Sequence, residues 1–98
     1  FISSFEESGE PVWELPLWPD MAKEVVSEVA DLKNIASAHI KAGSIVAGHF
    51  LKEFVGETPW VHIDIAGIAY DCKSFGYPGS GPSGFGIRGL LKTVMAYR

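Results

Sequence analysis

The run Trp60-Val61-His62-Ile63-Asp64-Ile65-Ala66-Gly67-Ile68-Ala69-Tyr70 constrains the fold of this chain more than any other stretch. It is rich in β-branched and aromatic residues, has Gly56 and Pro59 ahead of it and no proline inside, and so reads as a β-strand. Alternation would place Trp60, His62, Asp64 and Ala66 on one face and Val61, Ile63 and Ile65 on the other. Apart from His62 and Asp64 both faces are apolar, the pattern of a strand covered by helices on both sides. A strand cannot satisfy its own backbone donors and acceptors, and no second stretch of this chain reads as its partner. The expectation is therefore a piece of an α/β layer structure with most of its sheet elsewhere.

The remaining residues read as helices and loops. Phe1 to Ser8 suits the end of a helix, with Gly9 as its left-handed stop. Pro11 and Pro16 make the segment to Leu17 an extended connector. Pro19 suits a first helical position, and Met21, Val25, Val29 and Leu32 then recur at helical spacing as far as Asn34. A second helix is expected from His39 or Ala42 to Val55, stopped by Gly56. Its early residues Ala42, Gly43, Ser44, Ala47 and Gly48 are small, and each interior glycine costs ~1 kcal/mol of propensity, which suggests close packing. Asp71 to Pro82 is a loop dense in Gly, Ser and Pro. Ser83 is the candidate N-cap of a last helix with the stripe Ile87, Leu90, Leu91 and Val94. The order is helix, helix, strand, loop, helix.

Composition narrows the function classes. At 98 residues there is room for one small domain, and a 47% hydrophobic content suits a buried core. A net charge of −4 argues against nucleic acid or an anionic membrane as partner. No apolar run approaches the ~20 residues of a membrane span. One cysteine excludes an internal disulfide, so nothing points to secretion and the cytoplasm is the default location. A chain that opens on Phe is expected to be a piece of something longer.

Taken alone, the residues show no catalytic constellation. Gly79-Ser80-Gly81-Pro82-Ser83-Gly84 has the form G-x-G-x-x-G, but a phosphate cradle needs free backbone N–H groups directly after a strand, and Pro82 has none. A glycine-rich connector is the favoured reading. His62 and Asp64 share a strand face and so could present two metal ligands, without an evident third. His39 and His49, ten residues apart, would lie about 15 Å apart along a common helix and cannot share an ion there. Cys72 with His62 and Asp64 has the residue types of a nucleophile, base and orienter. Cysteine is more often simply buried, and no neighbouring residue singles this one out. Arg88 and Lys92, one turn apart, read as surface cover.

Six motifs together do point somewhere. Trp13-Glu-Leu-Pro-Leu-Trp18, Ala30-Asp-Leu-Lys-Asn-Ile35, Ala42-Gly-Ser-Ile45, Phe50-Leu-Lys-Glu-Phe-Val55, Trp60-Val-His-Ile-Asp-Ile-Ala-Gly67 and Gly84-Phe-Gly-Ile-Arg88 occur in this order. Order and spacing resemble the C-terminal segment of the leucyl (cytosol) aminopeptidase family over nearly the whole chain. The resemblance implies a metallo-aminopeptidase with two divalent ions (zinc, manganese or magnesium) that releases N-terminal residues and assembles as a hexamer. It implies that residues 1–98 are the incomplete C-terminal part of a mixed-sheet α/β catalytic domain. The family's metal ligands lie in motifs that do not occur here, so neither metal ligands nor catalytic residues are expected in this segment.

What carries over by resemblance is the substrate pocket. Ala66 and Ala69 match positions lining the pocket for the substrate's N-terminal side chain, and Ile35 matches a wall for the next residue. Ala69 is smaller than the Met of some members, which implies a roomier pocket. Residues 74–82 depart from the family's Lys-Gly-x-Thr-Gly-like run, although Ser83 keeps a capping hydroxyl. The runner-up reading is a non-catalytic structural or assembly protein of the same fold. An independent binding domain is disfavoured, because a lone strand would leave its edges open.

Overall fold

The computed structural model describes residues 1–74, 76, 77 and 79–97. The chain divides into two compact units, one of Phe1–Glu14 with Asp64–Arg98 and the other Leu15–Ile63.

In the first unit, helix α1 (Ile2–Glu7) packs against helix α3 (Ile87–Ala96). α1 ends where the sequence indicated: Gly9 has φ +74° and its N–H donates to the Glu6 carbonyl at 3.0 Å. Phe5 is the centre of this unit, with 0% of its surface exposed. Its ring lies 4.6 Å from that of Phe1 and 6.4 Å from that of Phe85 (centroid distances). Burial of such a ring stabilises by about 1.5–3 kcal/mol. α3 brings its backbone onto the Phe5 ring at Gly89, the buried residue of the helix. The stripe Ile87, Leu90, Leu91 and Val94 is exposed, so the face that meets α1 is not the apolar one.

Two expectations change in this unit. Ser83 does not cap α3, whose N-cap is Gly86 with φ +95°; the Ser83 hydroxyl instead accepts the Phe85 N–H at 3.2 Å. The turn through Gly84 and Gly86 needs left-handed backbone, which delays the helix by three residues. Among the described residues there is also no β-strand. The expected strand ends in a turn at its second half: Asp64 Oδ1 accepts the Ala66 N–H at 3.0 Å, and the Ile65 carbonyl accepts from Ile68 and Ala69. Only Tyr70 makes a β-bridge, antiparallel with Pro82. Without a neighbouring strand, local side-chain and turn hydrogen bonds take the backbone groups that a ladder would use. The helix-helix-strand-loop-helix order is thereby corrected to helices and irregular segments.

In the second unit a 3-10 helix (Pro19–Val25) packs against helix α2 (Gly43–Lys52). The helix expected to reach Asn34 stops at Val25, and Val26 is extended. Ser27 is the reason: its hydroxyl accepts the N–H groups of Val29 (3.3 Å) and Ala30 (3.1 Å), a local turn that competes with helix. The apolar stripe is broken accordingly, with Val25 buried and Val29 97% exposed. α2 forms where expected but is shorter, and its buried residues are Val46, Gly48 and His49. Close packing holds at Gly48, where an added Cβ would lie 3.0 Å from Leu17 Cδ1, and not at Gly43, which faces open space.

His49 ties this unit together by donating from Nε2 to the Trp18 carbonyl at 2.7 Å. Since a carbonyl only accepts, Nε2 carries the proton. Replacing His49 by Ala loses this bond and the buried ring, and is expected to cost about 2 kcal/mol. Urea unfolding at neutral pH checks the value.

Candidate functional site

The residues matched to the substrate pocket fall in both units. Ala66 and Ala69 lie in the Asp64–Ala69 turn of the first unit; Ala66 is exposed and Ala69 half-buried. Ile35 belongs to the second unit and is 74% exposed, among residues outside any helix. The structure brings the two alanines into one turn.

That turn continues into a short hairpin. The Ala69 carbonyl accepts the Ser83 N–H at 2.9 Å, and the Asp71 N–H donates to the Gly81 carbonyl at 2.9 Å. Asp71 Oδ1 accepts the Gly81 N–H at 2.7 Å. Asp71 reaches this geometry at φ +50°, a left-handed conformation that Asp tolerates better than most residues. The amides of Gly81 and Ser83 are thus both engaged within the hairpin, and the G-x-G-x-x-G run presents no such pair to a phosphate.

Behind the hairpin sits a residue that sequence reasoning missed. Glu10 has 0% of its surface exposed. Its Oε2 accepts the Gly89 N–H at 2.8 Å; its Oε1 accepts the Tyr77 hydroxyl at 2.9 Å and Arg88 Nε at 3.2 Å. Burial pushes this carboxyl up, but the bonds from Gly89, Tyr77, Arg88 and the Gly86 amide outweigh it and hold the group below its ordinary value. Arg88, expected to cover surface, also donates from Nη2 to the Tyr77 hydroxyl at 3.3 Å, with its guanidinium 5.8 Å over the Tyr77 ring centre. Hydrogen bonds to Tyr77 and then to Glu10 raise its pKa further. Lys92 pairs with Glu7 at 2.5 Å, and both are solvent-exposed enough that the pair contributes little. The sequence did hold one signal for Glu10, the glycine pair Gly86 and Gly89 flanking Arg88, which marks close backbone approach.

The remaining candidates do not assemble into chemistry. His62 is in the second unit and Asp64 in the first, where it caps the 64–69 turn. Among the described residues no three His, Cys, Asp or Glu side chains are grouped to hold a metal ion. The described residues therefore do not fit a dinuclear centre. Cys72 is buried and its thiol donates to the Ser74 carbonyl at 3.7 Å, a packing role. No helix is long and apolar enough to cross a membrane among the described residues.

Comparison with known proteins gives one consistent picture. The family model described as cytosol aminopeptidase family, catalytic domain, matches residues 1–91. A probable cytosol aminopeptidase of Desulforapulum autotrophicum is 50% identical over 90 residues, covering 91% of this chain and 17% of that protein. Its counterpart in Koribacter versatilis is 40% identical over 97 residues, covering 99% of this chain and 19% of that protein. A third, from Geobacter sulfurreducens, is 45% identical over 91 residues, or 93% and 18% of the two chains. The chain spans less than a fifth of the length of these curated relatives.

Proposed function

The chain belongs to the cytosol aminopeptidase family, and from that membership we propose that it forms the C-terminal part of the catalytic domain of a dinuclear-metal aminopeptidase. The full polypeptide hydrolyses the first peptide bond of a substrate with a free N-terminus. In this reading two divalent ions, zinc or manganese, are held by residues outside these 98 and activate the attacking water. The present residues supply scaffold and pocket walls, and the surrounding α/β domain supplies the sheet neighbours that residues 60–65 lack here. A homo-hexamer in the cytoplasm acting on peptides, without nucleic acid or membrane partners, completes the proposal.

The observation that carries it is the match of the family's catalytic-domain model to residues 1–91; the pocket walls are assigned to the 64–69 turn. Its hydrogen bonds are local, from Asp64 Oδ1 and the Ile65 carbonyl, and hold Ala66 and Ala69 in one turn. Small and aliphatic linings suit an apolar side-chain pocket. Ile35, an exposed aliphatic residue, is assigned to the wall for the second substrate residue.

Chelation tests the metal requirement. Treating the full polypeptide with EDTA should abolish release of N-terminal leucine, and zinc or manganese should restore it. A polypeptide that binds peptides yet releases nothing with either metal would be the non-catalytic scaffold of this fold instead.

A further inference from the structure

A carboxylate with no exposed surface is costly to bury, and an apolar side chain of similar volume often serves stability as well or better. What the carboxylate adds at position 10 is direction, because the donors that reach it come from two separate segments. Tyr77 comes from the distal part of the hairpin, while Arg88 and the Gly89 amide come from the start of α3. Between these segments lies the base of the hairpin, where the Ser83 N–H holds the Ala69 carbonyl. From Ser83 to Leu90 three local hydrogen bonds tie the chain. Phe85 donates to the Ser83 hydroxyl at 3.2 Å, Ile87 to the Gly84 carbonyl at 3.3 Å, and Leu90 to the Gly86 carbonyl at 2.9 Å.

We propose that Glu10 is a positioning residue for the substrate pocket: it clamps the hairpin through Tyr77 and the start of α3 through Arg88 and Gly89, and so fixes where the turn bearing Ala66 and Ala69 stands. This rests on the reading of those alanines as pocket walls. Glu10 touches no substrate and acts only through the hairpin. Tyr77 is the adjustable part of the clamp, since its hydroxyl both donates to Glu10 and accepts from Arg88 while its ring packs 6.3 Å from Phe85. Removing the hydroxyl frees the hairpin from the clamp and keeps the ring in place.

The test uses the full polypeptide, the variants Tyr77→Phe and Ala69→Met, and two chromogenic substrates, leucyl and alanyl p-nitroanilide. The clamp predicts that Tyr77→Phe changes the leucyl-to-alanyl ratio of kcat/KM by about 3–10-fold, a size typical of side-chain pocket effects. The change should appear in KM for the leucyl substrate, with kcat for the alanyl substrate within about twofold of the parent. Amide hydrogen exchange at Asp71 and Ser83 should accelerate by about tenfold, a readout independent of activity. An unchanged ratio overturns the clamp, whatever happens to exchange or to Tm.

Ala69→Met separates this failure from that of the pocket. A ratio shifted by Ala69→Met and untouched by Tyr77→Phe leaves the pocket standing and removes the clamp. A ratio untouched by Ala69→Met, or a parent that releases neither residue, overturns the pocket reading and this inference with it.

Discussion

Replacing Glu10 by Ala is expected to destabilise the protein by about 2–3 kcal/mol, the upper part of the range for leaving a buried donor without its acceptor. The loss comes chiefly from what stays behind: the Gly89 N–H, the Tyr77 hydroxyl and Arg88 Nε all lose their acceptor at once. The effect should depend on pH in a defined direction. Hydrogen bonds hold the folded carboxyl below its ordinary value of 4.5 despite burial. A group depressed in this way contributes stability that is fully present above its ordinary value and lost as pH falls through the folded one. The difference between parent and Glu10→Ala in urea midpoint should therefore be constant from about pH 7 to pH 5.5 and shrink at lower pH. A difference that grows toward low pH contradicts the charged state assigned to Glu10.

Gly89→Ala should have the second largest effect. A Cβ at this position would stand 2.5 Å from Cγ and Cδ2 of Phe5 and 2.6 Å from Cδ1. These are atoms at the root of the ring, and the ring is fully enclosed, so it cannot swing aside. Overpacking of this kind costs up to about 3 kcal/mol. Removing a glycine from a helix interior returns about 1 kcal/mol of propensity. The clash wins, for a net loss of about 2 kcal/mol. Thermal unfolding followed by circular dichroism reads the result. A Gly89→Ala protein more stable than the parent would mean that α3 can move off Phe5 at no cost.

The parts legible in the sequence are those decided within a few residues. Gly9 stops α1, and α2 forms as far as Lys52, because cap, propensity and breaker all lie close in the chain. Ser27 was a local signal too, a hydroxyl able to take the next amides after a pair of valines. The strand expected at residues 60–70 does not form among these residues for the opposite reason. Its composition is that of a strand, but a strand exists only with a partner, and pairing is decided far from the residues that pair. Glu10 lay beyond local reasoning as well. Its partners are 67 to 79 positions away in the chain, and nothing beside it distinguishes it from the other acidic residues. Of the site, Ala66, Ala69 and Ile35 were reached through family motifs. Their spacing alone points to no pocket, because small and aliphatic residues carry no chemistry that marks them.

The polypeptide containing this chain is proposed to remove residues from free N-termini. The most direct measurement is mass spectrometry of a leucine-led peptide and its N-acetylated twin after incubation with the full polypeptide and manganese. The expected result is a ladder of products shortened one residue at a time from the free peptide, and an acetylated twin left whole. Cleavage of both peptides at an internal bond, or of neither, would contradict it.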